Sequence, residues 1–147
     1  RAFQYVQWVT GRQFTVDRMA SRANTRCKQF CSHSSADPDS LAVSAFTVDW
    51  MFDGEGMVAV NYCFPPFALI PRVLQHVREC AVEAVLILPH WNSQAWWADL
   101  CEMCIDWWWF EEKEVFERVK DGQWQAVSQT SFHPTICLVH GRKSAMY

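Results

Sequence analysis

Residues 57–89, Met57-Val-Ala-Val-Asn-Tyr-Cys-Phe-Pro-Pro-Phe-Ala-Leu-Ile-Pro-Arg-Val-Leu-Gln-His-Val-Arg-Glu-Cys-Ala-Val-Glu-Ala-Val-Leu-Ile-Leu-Pro89, change their hydrophobic period twice. Met57 to Phe64 alternates through Val58, Val60 and Tyr62, as a strand does, and stops at Pro65-Pro66. Leu69, Ile70, Val73, Leu74 and Val77 then recur at helical spacing up to Cys80, with Pro71 in the first turn, where its missing N–H costs nothing. Ala84 to Leu88 is an unbroken apolar run ending at Pro89, as in a strand covered on both faces. A strand, a helix and a second buried strand in this order form a parallel crossover unit.

Working outward, Phe14–Asp17 reads as a short strand ending in an acid, and Ala20–Phe30 as a helix or a loop with helical turns. Val43–Trp50 is apolar and β-prone, followed by the turn Asp53-Gly54-Glu55-Gly56. Asn92 or Ser93 is a candidate cap for a helix running to about Met103. Ile105–Phe110 reads as an aromatic strand, Glu111–Val119 is ambiguous, Asp121-Gly122 is a turn, and Thr135–His140 is a closing strand. Residues 1–13 read as a short helix or arm ending at Gly11, and residues 32–40 as a loop. The pattern predicts one α/β domain with a mainly parallel sheet, Phe14–Val16, Met57–Cys63, Ala84–Leu88 and Thr135–Val139 being neighbouring strands. Ligands of such sheets bind at the carboxyl ends of the strands, which singles out Asp17 and Phe64-Pro65-Pro66-Phe67.

Composition narrows the function. The chain has 147 residues, half of them hydrophobic, and a net charge of -3. That length suits one domain, and that charge is not the basic balance of a nucleic-acid-binding module. A DNA contact would need a local patch, of which Arg18, Arg22, Arg26 and Lys28 form the densest; the plain alternative is a solvated face. No apolar run reaches the ~18 residues of a membrane span, no signal-peptide pattern opens the chain, and Arg1 in place of Met suggests a domain cut from a longer chain. Seven scattered cysteines suit a reducing, intracellular compartment, with free thiols, no disulfide and no metal. Cys101-x-x-Cys104 reads as core packing, and Cys27, Cys31 and His33 are too few for a zinc site. His76 reads as a surface or satisfied core histidine, and no G-x-S-x-G elbow is present. Nine tryptophans, with Trp96, Trp97, Trp107, Trp108 and Trp109 in two runs, exceed what one helix and one strand can turn inward. Some should remain exposed as a partner-facing patch.

A strand that ends in a polar residue, two prolines and an aromatic forms the catalytic loop of amino-methyltransferases. The polar side chain and a loop carbonyl hold the amino group, and the aromatic stacks on the extruded base. Here the order is Asn61-Tyr62-Cys63-Phe64-Pro65-Pro66-Phe67. Three further blocks stand in order: Phe14-Thr15-Val16-Asp17-Arg18-Met19-Ala20-Ser21 with Asn24; Val43-Ser44-Ala45-Phe46-Thr47-Val48-Asp49-Trp50; and Leu86-Ile87-Leu88-Pro89-His90-Trp91 with Gln94, Trp96 and Trp97. Together, over residues 14–100, these resemble the phage-type Dam-related methyltransferase-like domain of DIRS-type tyrosine-recombinase retroelements.

The resemblance implies a three-layer Rossmann-like methyltransferase fold, a catalytic loop at Phe64, Pro65, Pro66 and Phe67, cofactor contacts from Asp17, Ser44 and Asp49, S-adenosylmethionine as cofactor of an active enzyme, and DNA adenine as its substrate. It also implies a nuclear place of action. The departures argue against activity. Phe64 stands where active members carry Asn or Asp, and Ser44 stands where they carry an acid. Losing one preorganised polar group of this kind raises the barrier by about 3–4 kcal/mol. No glycine-rich loop follows the first strand. The expectation is a catalytically degenerate domain without bound cofactor, kept as a nucleic-acid- or protein-binding scaffold, within a larger assembly and away from membranes. The alternative is a working DNA adenine methyltransferase. Asp17 and Asp49 have a plainer alternative, as carboxylates capping local backbone.

Overall fold

The computed structural model describes residues 2–33, 37–110, 116–120, 123–127 and 133–142. Helix α1 (Ala2–Thr10) is followed by two short strands, β1 (Val16–Asp17) and β2 (Gln29–Phe30), and then β3 (Asn61–Cys63). The central crossover runs through a 3-10 turn (Phe67–Leu69) into α2 (Ile70–Cys80) and on to β4 (Glu83–Pro89). Helix α3 (Trp97–Met103), β5 (Cys104–Trp109), the hairpin β6 (Phe116–Lys120) and β7 (Gln123–Val127), and β8 (Pro134–His140) complete the order. Six strands form one sheet in the order β2-β1-β3-β4-β8-β5, and β6 and β7 pair separately. β1, β2, β3 and β4 run parallel to one another, whereas β8 is antiparallel to both β4 and β5. The four segments expected to neighbour one another do so, in the order β1-β3-β4-β8.

Alternation along the strands builds two cores. Ala84, Leu86 and Leu88 of β4, with Cys137 and Val139 of β8, face the side covered by α2 and α3. Val85 and Ile87, with Ile136 and Leu138, face the side covered by α1 through Val6. Ile70, Val73, Leu74 and Val77 of α2 are all buried, the stripe expected from their spacing. Burying each such side chain contributes roughly 1.5–3 kcal/mol. The helix ends on Ala81, whose φ of 55° lies in the left-handed region. That conformation costs an L-residue about 1–2 kcal/mol, and it turns the chain directly into β4. Gly141, just after β8, passes the last turn of α2 so closely that a Cβ would strike the Val77 carbonyl oxygen. Its N–H donates to Val82 O at 2.8 Å.

Three local expectations differ from the structure, and a fourth is narrowed to one of its two alternatives. Val43–Trp50 is not a strand: Ala45 and Trp50 are buried, five residues apart, and Val43 is exposed. Ser44 Oγ accepts from the Phe46 N–H (3.3 Å) and caps a 3-10 turn, Ala45–Thr47, and Trp50 Nε1 donates to Ala45 O (2.9 Å). A short polar side chain here offers the backbone a local alternative to a ladder. Between Ala20 and β2 the chain takes the looped alternative, with a helical turn in which the Asn24 and Thr25 N–H groups donate to Ser21 O, and no helix forms because Asn24 Oδ1 accepts from Ser21 N and Thr25 Oγ1 bonds the Cys27 backbone. Met57 and Val58 belong to a tight reversal in which Gly56 takes φ 79° and Phe52 bridges Val58, so β3 is only three residues long. Neither Asn92 nor Ser93 caps α3, which starts after Trp96 with no side-chain cap. Asp121-Gly122 lies outside the described residues. Among the described residues, no helix is long and apolar enough to cross a membrane.

Candidate functional site

Because β1, β2 and β3 are parallel, their carboxyl ends open on the same edge of the sheet. The segments leaving these three strands line one cleft of about 800 Å3: Arg18, Met19 and Ala20 after β1; Cys31, Ser32 and His33 after β2; Phe64 through Phe67 after β3. The loop Ser44-Ala45-Phe46 and Arg72 of α2 close it. This volume falls in the range of small-molecule sites, and so does its position.

The Pro-Pro loop is held from both sides. Pro65 is buried, and Pro66 takes extended backbone (φ -55°, ψ 141°) before its carbonyl accepts from the Leu69 N–H at 2.9 Å. Phe67 packs edge-on against Trp91, centroids 4.7 Å apart. Phe64 lines the cleft and also packs against the core on the α1 side. At the point where the resemblance requires a hydrogen-bond acceptor, the cleft wall therefore carries a phenylalanine.

Of the three expected cofactor contacts, only Ser44 lines the cleft, and its hydroxyl already caps the turn at Phe46. Asp49 is exposed, and its Oδ1 accepts from the Met51 N–H at 2.9 Å. Asp17 pairs in register with Tyr62, and Tyr62 faces the α1 core rather than the cleft. Asp17 Oδ2 accepts from the Arg26 N–H at 3.2 Å, whereas the buried Oδ1 has no hydrogen-bond partner among the described residues. Burial pushes the Asp17 carboxyl up to about 7, against the lowering effect of the Arg26 and Met19 N–H groups. Burial first, and then the Asp17 charge, raises Tyr62 and pushes the Cys27 thiol up to about 12.

Arg18 is the residue that sequence reasoning placed wrongly. It is not part of a surface patch: only 1% of it is exposed. Nε donates to Asn61 Oδ1 (2.7 Å), Nη2 to the carbonyls of Trp50 (3.3 Å) and Phe52 (3.1 Å), and Nη1 to Cys31 Sγ (3.6 Å). Asn61 Nδ2 in turn donates to Trp50 O and Glu83 O, so the pair ties β1, β3, β4 and the Trp50 loop together. The exposed cation of the cleft is Arg72, its guanidinium carbon 4.1 Å from the centre of the Phe46 ring. Arg22 meets Asp39 at 3.3 Å, both exposed, a pair worth little. The expected patch is thus divided between core and solvent, because no helix holds its members on one face. One signal was legible: an arginine directly after a buried strand must either reach solvent or find several acceptors.

All seven cysteines are free thiols. The Cys101-x-x-Cys104 pair is not core packing: Cys101 is exposed and Cys104 half-buried, because α3 turns only Leu100 and Met103 inward. Among the described residues, no three His, Cys, Asp or Glu side chains form a metal-holding group. His76 is a satisfied, part-buried histidine, its Nε2 2.8 Å from Val48 O. The tryptophan runs split. Trp96 is buried and Trp97 and Trp108 are half-buried, whereas Trp107 (47%) and Trp109 (46%) are exposed on β5 beside Ile105. His90 lies between them, its ring centroid 4.7 Å from that of Trp97 and 4.8 Å from that of Trp109. No protein-family model matches the chain, and no curated protein matches it.

Proposed function

We propose that this chain is a methyltransferase-like domain of the DIRS-element type, Rossmann-like in fold, catalytically degenerate, and retained as a nucleic-acid- or protein-binding scaffold. The observation that carries this reading is Phe64 in the cleft wall. Adenine's amino nitrogen is conjugated with its ring, and an enzyme must hold it by hydrogen bonds as it becomes tetrahedral. A phenyl ring leaves only backbone acceptors for that task. Helices on both sheet faces, with a cleft at the carboxyl ends of parallel strands, support the fold part of the proposal. The exposed Ile105, Trp107 and Trp109 support a protein-facing surface on the edge strand β5. A nuclear location belongs with the same reading.

The working-enzyme alternative is weakened by the positions of Asp17 and Asp49, neither of which lines the cleft. Transfer of a labelled methyl group from S-adenosylmethionine to adenine-containing DNA separates the two. The expected result is no measurable transfer by the unmodified chain. Phe64→Asn restores the side-chain acceptor, and the loop assignment predicts that any transfer appears only in that variant. Robust transfer by the unmodified chain would replace the scaffold reading with the enzymatic one.

A further inference from the structure

The cleft carries a charge opposite to that of the chain. The net charge is -3, yet among the described residues the cleft is lined by two arginines, Arg18 and Arg72, and by no aspartate or glutamate. Arg18 is the informative member. It is 1% exposed, and its guanidinium is satisfied only by neutral acceptors: an amide oxygen, two carbonyls and a thiol. Among the described residues no carboxylate pairs with it. Its chain neighbour Asp17 sits on the other face of the sheet, with Tyr62. A buried charge without a counter-ion is costly to hold, and an anion in the cleft would offset that cost. Arg72 stands exposed on the rim over Phe46, and among the described residues it has no carboxylate partner either. Three phenylalanines, Phe46, Phe64 and Phe67, line the same cavity, and Phe46 and Phe67 pack on its side of the sheet.

We propose that the cleft takes an anionic, ring-bearing ligand, a phosphorylated nucleoside, with its phosphate contacted by Arg72 within the positive field of Arg18 and its base against the phenylalanines. This inference shares its cleft with the scaffold reading and departs from the resemblance, which would place a sulfonium nucleoside of net positive charge there. Arginine suits the task because its planar fork meets phosphate oxygens two at a time. An apolar, carboxylate-free lining disfavours a cation in the same place.

The test is isothermal titration of the full chain with adenosine monophosphate, adenosine, inorganic phosphate and S-adenosylmethionine. Adenosine monophosphate should bind more tightly than adenosine by about tenfold or more, the yield of one charge-assisted contact, and more tightly than S-adenosylmethionine. Arg72→Gln, a rim substitution compatible with folding, should bring adenosine monophosphate to the level of adenosine. Equal binding of adenosine and its monophosphate, preference for S-adenosylmethionine, or no binding of any of them would overturn the proposal. Inorganic phosphate binding as tightly as the nucleotide would overturn the nucleoside part, and an unchanged preference in Arg72→Gln would overturn the assignment of that residue. A single-stranded oligonucleotide serves as the separate arm. Its failure to bind while the monophosphate preference stands would sink nucleic-acid scaffolding and leave this site intact.

Discussion

The two ends of the sheet are built differently. At one end β4 and β8 are antiparallel and in register over seven residues, from Glu83 opposite His140 to Pro89 opposite Pro134, with β5 added outside. At the other end β1 and β2 pair over two residues and β3 meets β4 over three. The long end is held by ladder bonds and continuous apolar alternation, and the short end by side chains, chiefly Arg18 and Asn61, that tie loops to strand ends. A cleft needs loops free to diverge at the strand ends, and short parallel strands provide them. The longest pairing thus lies in β4, β8 and β5, and the cleft lies at the ends of β1, β2 and β3.

That division can be broken in order of expected effect. Leu86→Ala, in the fully buried centre of β4, should cost about 2–5 kcal/mol and lower the urea midpoint of the whole domain. Asn61→Ala leaves Arg18 Nε without its amide acceptor, removes one of the two side-chain donors to the Trp50 carbonyl and removes the Asn61 donor to the Glu83 carbonyl. It should cost about 1–3 kcal/mol. Its signature is local: amide exchange should accelerate in the Arg18 and Trp50 loops while β4 and β8 amides remain protected. Equal acceleration in both places would show that the sheet is one cooperative unit.

A second local effect depends on pH. The Asp17 carboxyl lies near 7 in the folded chain against an ordinary 3.8. Between those values the folded state keeps a proton that the unfolded state has released, so this group's contribution to stability falls as pH rises from about 4 to about 7 and is flat beyond. Asp17→Asn removes the penalty while keeping an oxygen for the Arg26 N–H. Its melting temperature relative to the parent should therefore be higher at pH 8 than at pH 5. A pH-independent difference would mean that Asp17 ionises normally.

The smallest effect belongs to the indoles. Trp107→Ser with Trp109→Ser should change stability by no more than about 0.5 kcal/mol per site. Trp108→Ser should cost several times as much, because Trp108 packs against the core on the α1 side. Similar losses would mean that the exposed indoles are packed within the monomer.

Legibility in the sequence followed the same division. Ala84–Leu88 and the α2 stripe were readable because burial on both faces, or on one stripe, leaves a periodic trace in local composition. Val43–Trp50 looked β-prone by composition yet forms a capped 3-10 turn, since one hydroxyl at Ser44 outweighs a propensity. The Pro65-Pro66 loop was located correctly because proline's fixed φ ends a strand whatever surrounds it. The C-x-x-C was misjudged because the helix phase of α3, set by its docking of Leu100 and Met103, turns Cys101 outward.

The amino-acid sequence by itself determined the α/β class, the crossover from β3 to β4, the position of the Pro-Pro loop and the apolar character of Phe64 before it, because each rests on local period or on a single side chain's chemistry. Only the tertiary structure decided that β8 enters the sheet antiparallel between β4 and β5, that Asp17 turns away from the cleft, and that Arg18 is buried among neutral acceptors beneath it. Those outcomes depend on which distant carbonyls, amides and apolar faces meet across the sheet, and no window along the chain contains them.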